Sequence, residues 1–115
     1  MNKKVKILGT TYKIMSKNED KEPRLIKNWG FTDFHTKEIY LRDDIDEEKE
    51  DDCKNLIDFK NKVMRHEILH AFLYESGLRE NSYGSPAWAE NEEMIDWFAI
   101  QFPKLLEVYK KLNIL

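Results

Sequence analysis

The chain has a single cysteine, Cys53, so it can form neither an internal disulfide nor a C-x-x-C metal knuckle. A lone thiol is what a reducing cytosol permits, and Cys53 reads as an ordinary helix-face residue. No stretch approaches the roughly 18 apolar residues of a membrane span. Lys3, Lys4 and Lys6 lead into no sustained apolar segment of the kind a secretory signal needs. Internal repeats and low-complexity tracts are also missing. Together these absences predict a cytoplasmic protein with no membrane partner.

What is present suits one small folded domain over residues 1–115, with a single core. Hydrophobic residues make up 41% of the chain and aromatics 12%, which offsets a charged fraction of 36% and argues against disorder. The net charge of −3 is unevenly spread. Residues 1–42 hold 10 Lys/Arg against 5 Asp/Glu, whereas residues 43–115 hold 9 against 17, with eight acids within 43–52. That acidic half disfavours a nucleic-acid partner, since phosphate backbones are gripped by clustered cations. The acidic run itself reads as a solvated loop and helix start, where negative charge meets the positive end of the helix dipole.

Strand patterns come first and helical ones after, so the fold class is α+β. Val5–Leu8 and Thr11–Met15 read as strands around a Gly9-Thr10 turn, and Ser16–Lys27 as a surface loop. Trp29–Phe34 and Glu38–Leu41 form a second strand pair. In the latter strand Ile39 and Leu41 share one face, while Glu38, Tyr40 and Arg42 share the other. A long helix is predicted from about Asp52 to Ser76, stopped by Gly77. Ser85-Pro86 offers an N-cap and a first-turn proline for a second helix through Gln101, which Phe102-Pro103 should break or kink before a last amphipathic turn or two carrying Leu105, Leu106, Val108, Tyr109 and Leu112.

The first long helix carries His66-Glu67-Ile68-Leu69-His70, an H-E-x-x-H motif. At about 3.6 residues per turn the two imidazoles point the same way, one turn apart, and can grip one metal ion. Glu67 is turned about 100° from His66, beside the metal and free to take a proton from water held there. The apolar neighbours Val63, Met64, Ile68, Leu69, Ala71, Phe72 and Leu73 argue against a solvated face that matches by chance.

A catalytic zinc site calls for three protein ligands and an open position. No third histidine follows at the spacing of the extended motif, where Leu73 and Ser76 stand instead. A carboxylate from the second helix is then the expected third ligand, and Glu92 and Glu93 compete for that place. Glu92 shares a helix face with Asp96, so one can bind the metal while the other accepts a hydrogen bond from a ligating imidazole. The i+4 neighbour of Glu93 is Trp97, which cannot accept one. The expected ligands are therefore His66, His70 and Glu92, with Asp96 as orienter and Glu93 as the alternative ligand. Glu90 reads as a helix-start acid placed there by the dipole.

Over residues 29–101 the chain resembles the gluzincin branch of zinc metallopeptidases. The likeness rests on His66-Glu67-x-x-His70 followed by Asn91-Glu92-x-x-x-Asp96. Glu92-x-x-Ile95-Asp96-x-Phe98-Ala99, with Trp29-Gly30 and Glu38–Leu41 upstream, is similar to the ImmA/IrrE-like metallopeptidases of phages and mobile elements. Members often carry Ala and Asn where this chain has Ile95 and Asp96. The resemblance implies a minimal zincin-like fold, a Zn2+ cofactor and hydrolysis of a protein or peptide substrate, with phage proteins such as a repressor among the candidates. It also implies Glu67 as general base and the Glu38–Arg42 strand as the sheet edge on which an extended peptide adds. For the oxyanion donor the loop residue Tyr83 is the candidate, ahead of Tyr74 and His35, although a loop aromatic packed on the core explains it as well. Two other readings compete: a silent zinc-binding protein acting by contact, and a SprT-like crosslink protease. Retention of Glu67 speaks against the first, the acidic second half and the missing cysteine knuckle against the second.

Overall fold

The computed structural model describes residues 2–44, 56–82 and 87–115. Four strands, β1 (Asn2–Ile7), β2 (Thr10–Lys17), β3 (Gly30–Asp33) and β4 (Glu38–Arg42), precede two helices, α1 (Leu56–Glu75) and α2 (Glu92–Lys111). The α+β expectation holds. The sheet is mixed, in the order β1-β2-β4-β3: β1 and β2 are antiparallel, β2 and β4 parallel, β4 and β3 antiparallel.

The first hairpin closes on the pair Ile7↔Thr10, which moves the turn to Leu8-Gly9. Both turn residues have positive φ, 49° and 89°, the handedness that matches the twist of a two-residue hairpin. Glycine adopts it without strain, and Leu8 carries the cost. Gly77, at φ 85°, ends α1 as expected, and the Arg79 N–H closes the reversal onto the Leu73 carbonyl at 3.1 Å.

Alternation along the strands builds the core. Ile7, Tyr12, Ile14, Ile39 and Leu41 cluster with Val63 and Ala71 of α1. The opposite face of β4 is not left to water. The connection between β2 and β3 folds over it, burying Leu25 completely and Tyr40 to 5% exposure, with the Arg24 guanidinium above the Tyr40 and Phe31 rings. Residues 16–27 are thus a cover as much as a surface loop.

Two expectations fail here. β4 lies inside the sheet between β2 and β3, so the sheet edge at this end is β3; the parallel return of β4 onto β2 leaves its hairpin partner outermost. The second helix starts later than expected and takes in, without a break, the amphipathic turns expected beyond Pro103. A 3-10 turn at Trp88–Glu90 precedes it, and Asn91 caps it, its side chain accepting from the Met94 N–H at 2.8 Å. Pro103 does not break it. A proline withdraws one N–H from the helix, leaving the carbonyl four residues back without its partner. That carbonyl, Ala99, accepts from Arg65 Nε of α1 at 2.6 Å, so the helix tolerates Pro103. Cys53, the expected helix start before Leu56, most of the acidic run, Ser85-Pro86 and Tyr83 lie outside the described residues. Among the described residues no helix is long and apolar enough to cross a membrane.

Candidate metal centre

Helical spacing on α1 and the capped start of α2 bring three side chains to one point. His66 Nε2 and His70 Nε2 stand 3.1 Å apart, as their one-turn separation requires. Glu92, the first residue of α2, reaches both: Oε2 lies 3.0 Å from His66 Nε2 and Oε1 lies 3.2 Å from His70 Nε2. Donor atoms of these three residues fall within 4.8 Å of one another. Glu93, one residue on, is exposed and not part of the cluster. Asp96 sits one turn along α2 and meets His66 Nδ1 at 2.8 Å. A carboxylate there favours the tautomer with the proton on Nδ1, in which the Nε2 lone pair would face the cluster.

The donor set fits a cation. Two ring nitrogens and two carboxylate oxygens converge, an arrangement that a divalent ion could bridge. Neutral imidazole and carboxylate together are borderline ligands suited to zinc. Burial, reinforced by His66 and by Arg79, pushes the proton affinity of His70 down to about 4, so at neutral pH it is the uncharged, ligating form.

Glu67 lies beside this cluster but outside it. It is buried to 7% exposure against β3, and the Thr32 hydroxyl lies 2.8 Å from its Oε1 and 3.0 Å from its main-chain carbonyl. Burial raises its proton affinity above that of an ordinary glutamate, and the Thr32 bond partly opposes this. A carboxyl with that balance is suited to taking up a proton and giving it back.

An open cleft of about 620 Å³ is lined by residues of β3, α1 and the start of α2. Its walls include Gly30 to His35 on one side and His66, Glu67, His70, Arg79, Glu90 and Glu92 on the other. His35, a weak candidate from sequence, therefore lines the cleft. Tyr74 instead stacks on Phe34, with ring centroids 4.5 Å apart.

Sequence reasoning missed Gly30, Thr32 and Arg79 as parts of this site. A Cβ on Gly30 would stand 2.9 Å from Glu67 Cγ and 3.0 Å from Val63 Cγ1, so only glycine lets β3 approach α1 this closely. A glycine within a strand pattern was the available signal. Arg79 places its guanidinium over the Phe34 ring at 4.6 Å, and nothing in the local pattern after Gly77 marks it. Compared with known proteins, the chain matches no family model, no curated protein and no solved structure.

Proposed function

We propose that this protein is a zinc-dependent peptidase in which His66, His70 and Glu92 hold the metal and Glu67 is the general base. One observation carries the reading: Glu67 lines the cleft beside the three convergent side chains, yet stands outside their set and is largely buried. A purely structural site has no use for such a carboxyl. When bound, zinc would acidify a water and polarise the scissile carbonyl.

The remaining chemistry belongs to the chain. Asp96 fixes the orientation of the His66 ring. Glu67 takes a proton and returns it to the departing amine. Among the described residues β3 is the edge strand that lines the cleft, and it offers main-chain hydrogen bonds to an extended peptide. The motif resemblance points to protein substrates in a phage or mobile-element setting, a repressor being one.

The test is incubation of the zinc-loaded chain with a diverse peptide mixture, with cleavage read by mass spectrometry. The wild-type protein should cut, and Glu67→Gln should retain zinc while losing about 10²–10⁴-fold in rate. A Glu67→Gln variant that cuts as fast as the parent would refute the assignment. Zinc binding without any cleavage would favour a role by protein contact.

A further inference from the structure

Glu67 projects from a helix, but what holds its carboxylate belongs to the neighbouring strand. Gly30 and Thr32 are alternate residues of β3 and so present the same face to α1. Gly30 leaves the space that the Glu67 Cγ occupies, since an added Cβ would come within 2.9 Å of it. Thr32, itself only 6% exposed, directs its hydroxyl at Glu67 Oε1 and at the carbonyl of the same residue. A hydroxyl has one proton to donate, and the charged oxygen at 2.8 Å is the stronger acceptor. Oε2 accepts no hydrogen bond from the described residues, and no buried side-chain oxygen among them is left without a partner. Oε2 therefore keeps some exposure, in a residue that lines the cleft.

From this geometry we infer that Thr32 is a positioning residue for Glu67, its hydroxyl fixing Oε1 so that Oε2 faces the reacting atoms, with Gly30 keeping the space in which this happens. The inference rests on the peptidase reading for its catalytic consequence, but not for its geometry. It gives β3 two tasks in one rigid piece. The outer edge of the strand is the wall along which a peptide would lie, and its inner face sets where the base stands. The separation between a docked carbonyl and Glu67 then depends on the contact that ties α1 to these four residues of β3. A base displaced by about 1 Å can lose on the order of a hundredfold in rate, so a single hydroxyl has leverage here.

The experiment compares zinc-loaded Thr32→Val, which keeps the shape and removes the hydroxyl, with Thr32→Ser, which keeps the hydroxyl. Crystal structures provide the first readout. Thr32→Val should show the Glu67 carboxylate in a different rotamer or in several, and Thr32→Ser should superpose on the parent. A single parental rotamer in Thr32→Val overturns the inference. Turnover of the peptide mixture provides the second readout. Thr32→Val should lose about 10–100-fold in kcat with KM and zinc content unchanged, and Thr32→Ser should stay within about threefold of the parent. Parental kcat in Thr32→Val overturns the inference. Should Thr32→Val fail to fold, Thr32→Ser decides alone, because loss of the Glu67 geometry in a chain that retains the hydroxyl would contradict it. If the rotamer moves as expected and the parent cleaves nothing, the peptidase reading fails and the positioning role stands.

Discussion

Asp96 touches no candidate ligand atom, yet it determines what His66 can do. Its carboxylate at 2.8 Å from Nδ1 holds the ring so that Nε2 faces Glu92 and His70. Removing such a partner costs metal affinity without removing a ligand. We expect Asp96→Ala to weaken zinc binding about 10–100-fold, read by competition against a chelator of known affinity. Unchanged affinity would mean that the contact is incidental. The neighbouring pair gives a sharper contrast: Glu92→Gln should lose zinc, and Glu93→Gln should not. The convergence of His66, His70 and Glu92 was legible because helical spacing alone places i and i+4 on one face, and Asp96 pairs with Glu92 by the same rule. Thr32 was not legible, because a threonine in a strand acquires its role only when a partner 35 residues away arrives.

At the scale of elements, the hairpin of β3 and β4 is held at its turn by Asp33. Its Oδ1 accepts from the backbone N–H of His35 and Thr36 at 3.0 Å, and its Oδ2 from Arg24 at 2.7 Å. The Arg24 hydrogen bond first, then those N–H groups, hold its carboxyl down at about 2, below the usual 3.8. A carboxyl depressed in the folded state adds stability that is present above its unfolded pKa and lost as pH falls toward the folded one. At about 1.4 kcal/mol per unit this amounts to roughly 2 kcal/mol, disappearing between about pH 4 and 2. Asp33→Asn should therefore flatten the acid limb of a stability–pH curve measured by urea unfolding. Parallel limbs for the variant and parent would contradict this. Helix α2 supplies a second test. Arg65→Met should cost about 1–3 kcal/mol by stranding the Ala99 carbonyl, and Pro103→Ala, which restores a helical N–H, should remove most of that cost. That α2 stays continuous through Pro103 was unreadable from sequence, since the donor that meets the Ala99 carbonyl sits 34 residues before Ala99 on another helix. The edge position of β3 was hidden for a related reason: local patterns reveal strands, but their order depends on the parallel return of β4 onto β2.

For the whole molecule, the candidate centre joins elements that are distant in sequence. α1 supplies the two imidazoles and Glu67, α2 supplies Glu92 and Asp96, and β3 supplies the Thr32 hydroxyl on Glu67. A cation at this point would bind the folded chain and not the unfolded one, so it would also stabilise the packing of α1 on α2. The central claim is that one divalent metal sits among His66, His70 and Glu92. The most direct measurement is an anomalous-difference map at the zinc edge from crystals of the zinc-loaded chain. The account predicts one peak about 2.0–2.2 Å from His66 Nε2, His70 Nε2 and a Glu92 oxygen, with Asp96 still on His66 Nδ1, Glu93 pointing away and one coordination position open. A map with no peak there, or with Glu93 on the metal and Glu92 in solvent, would contradict it.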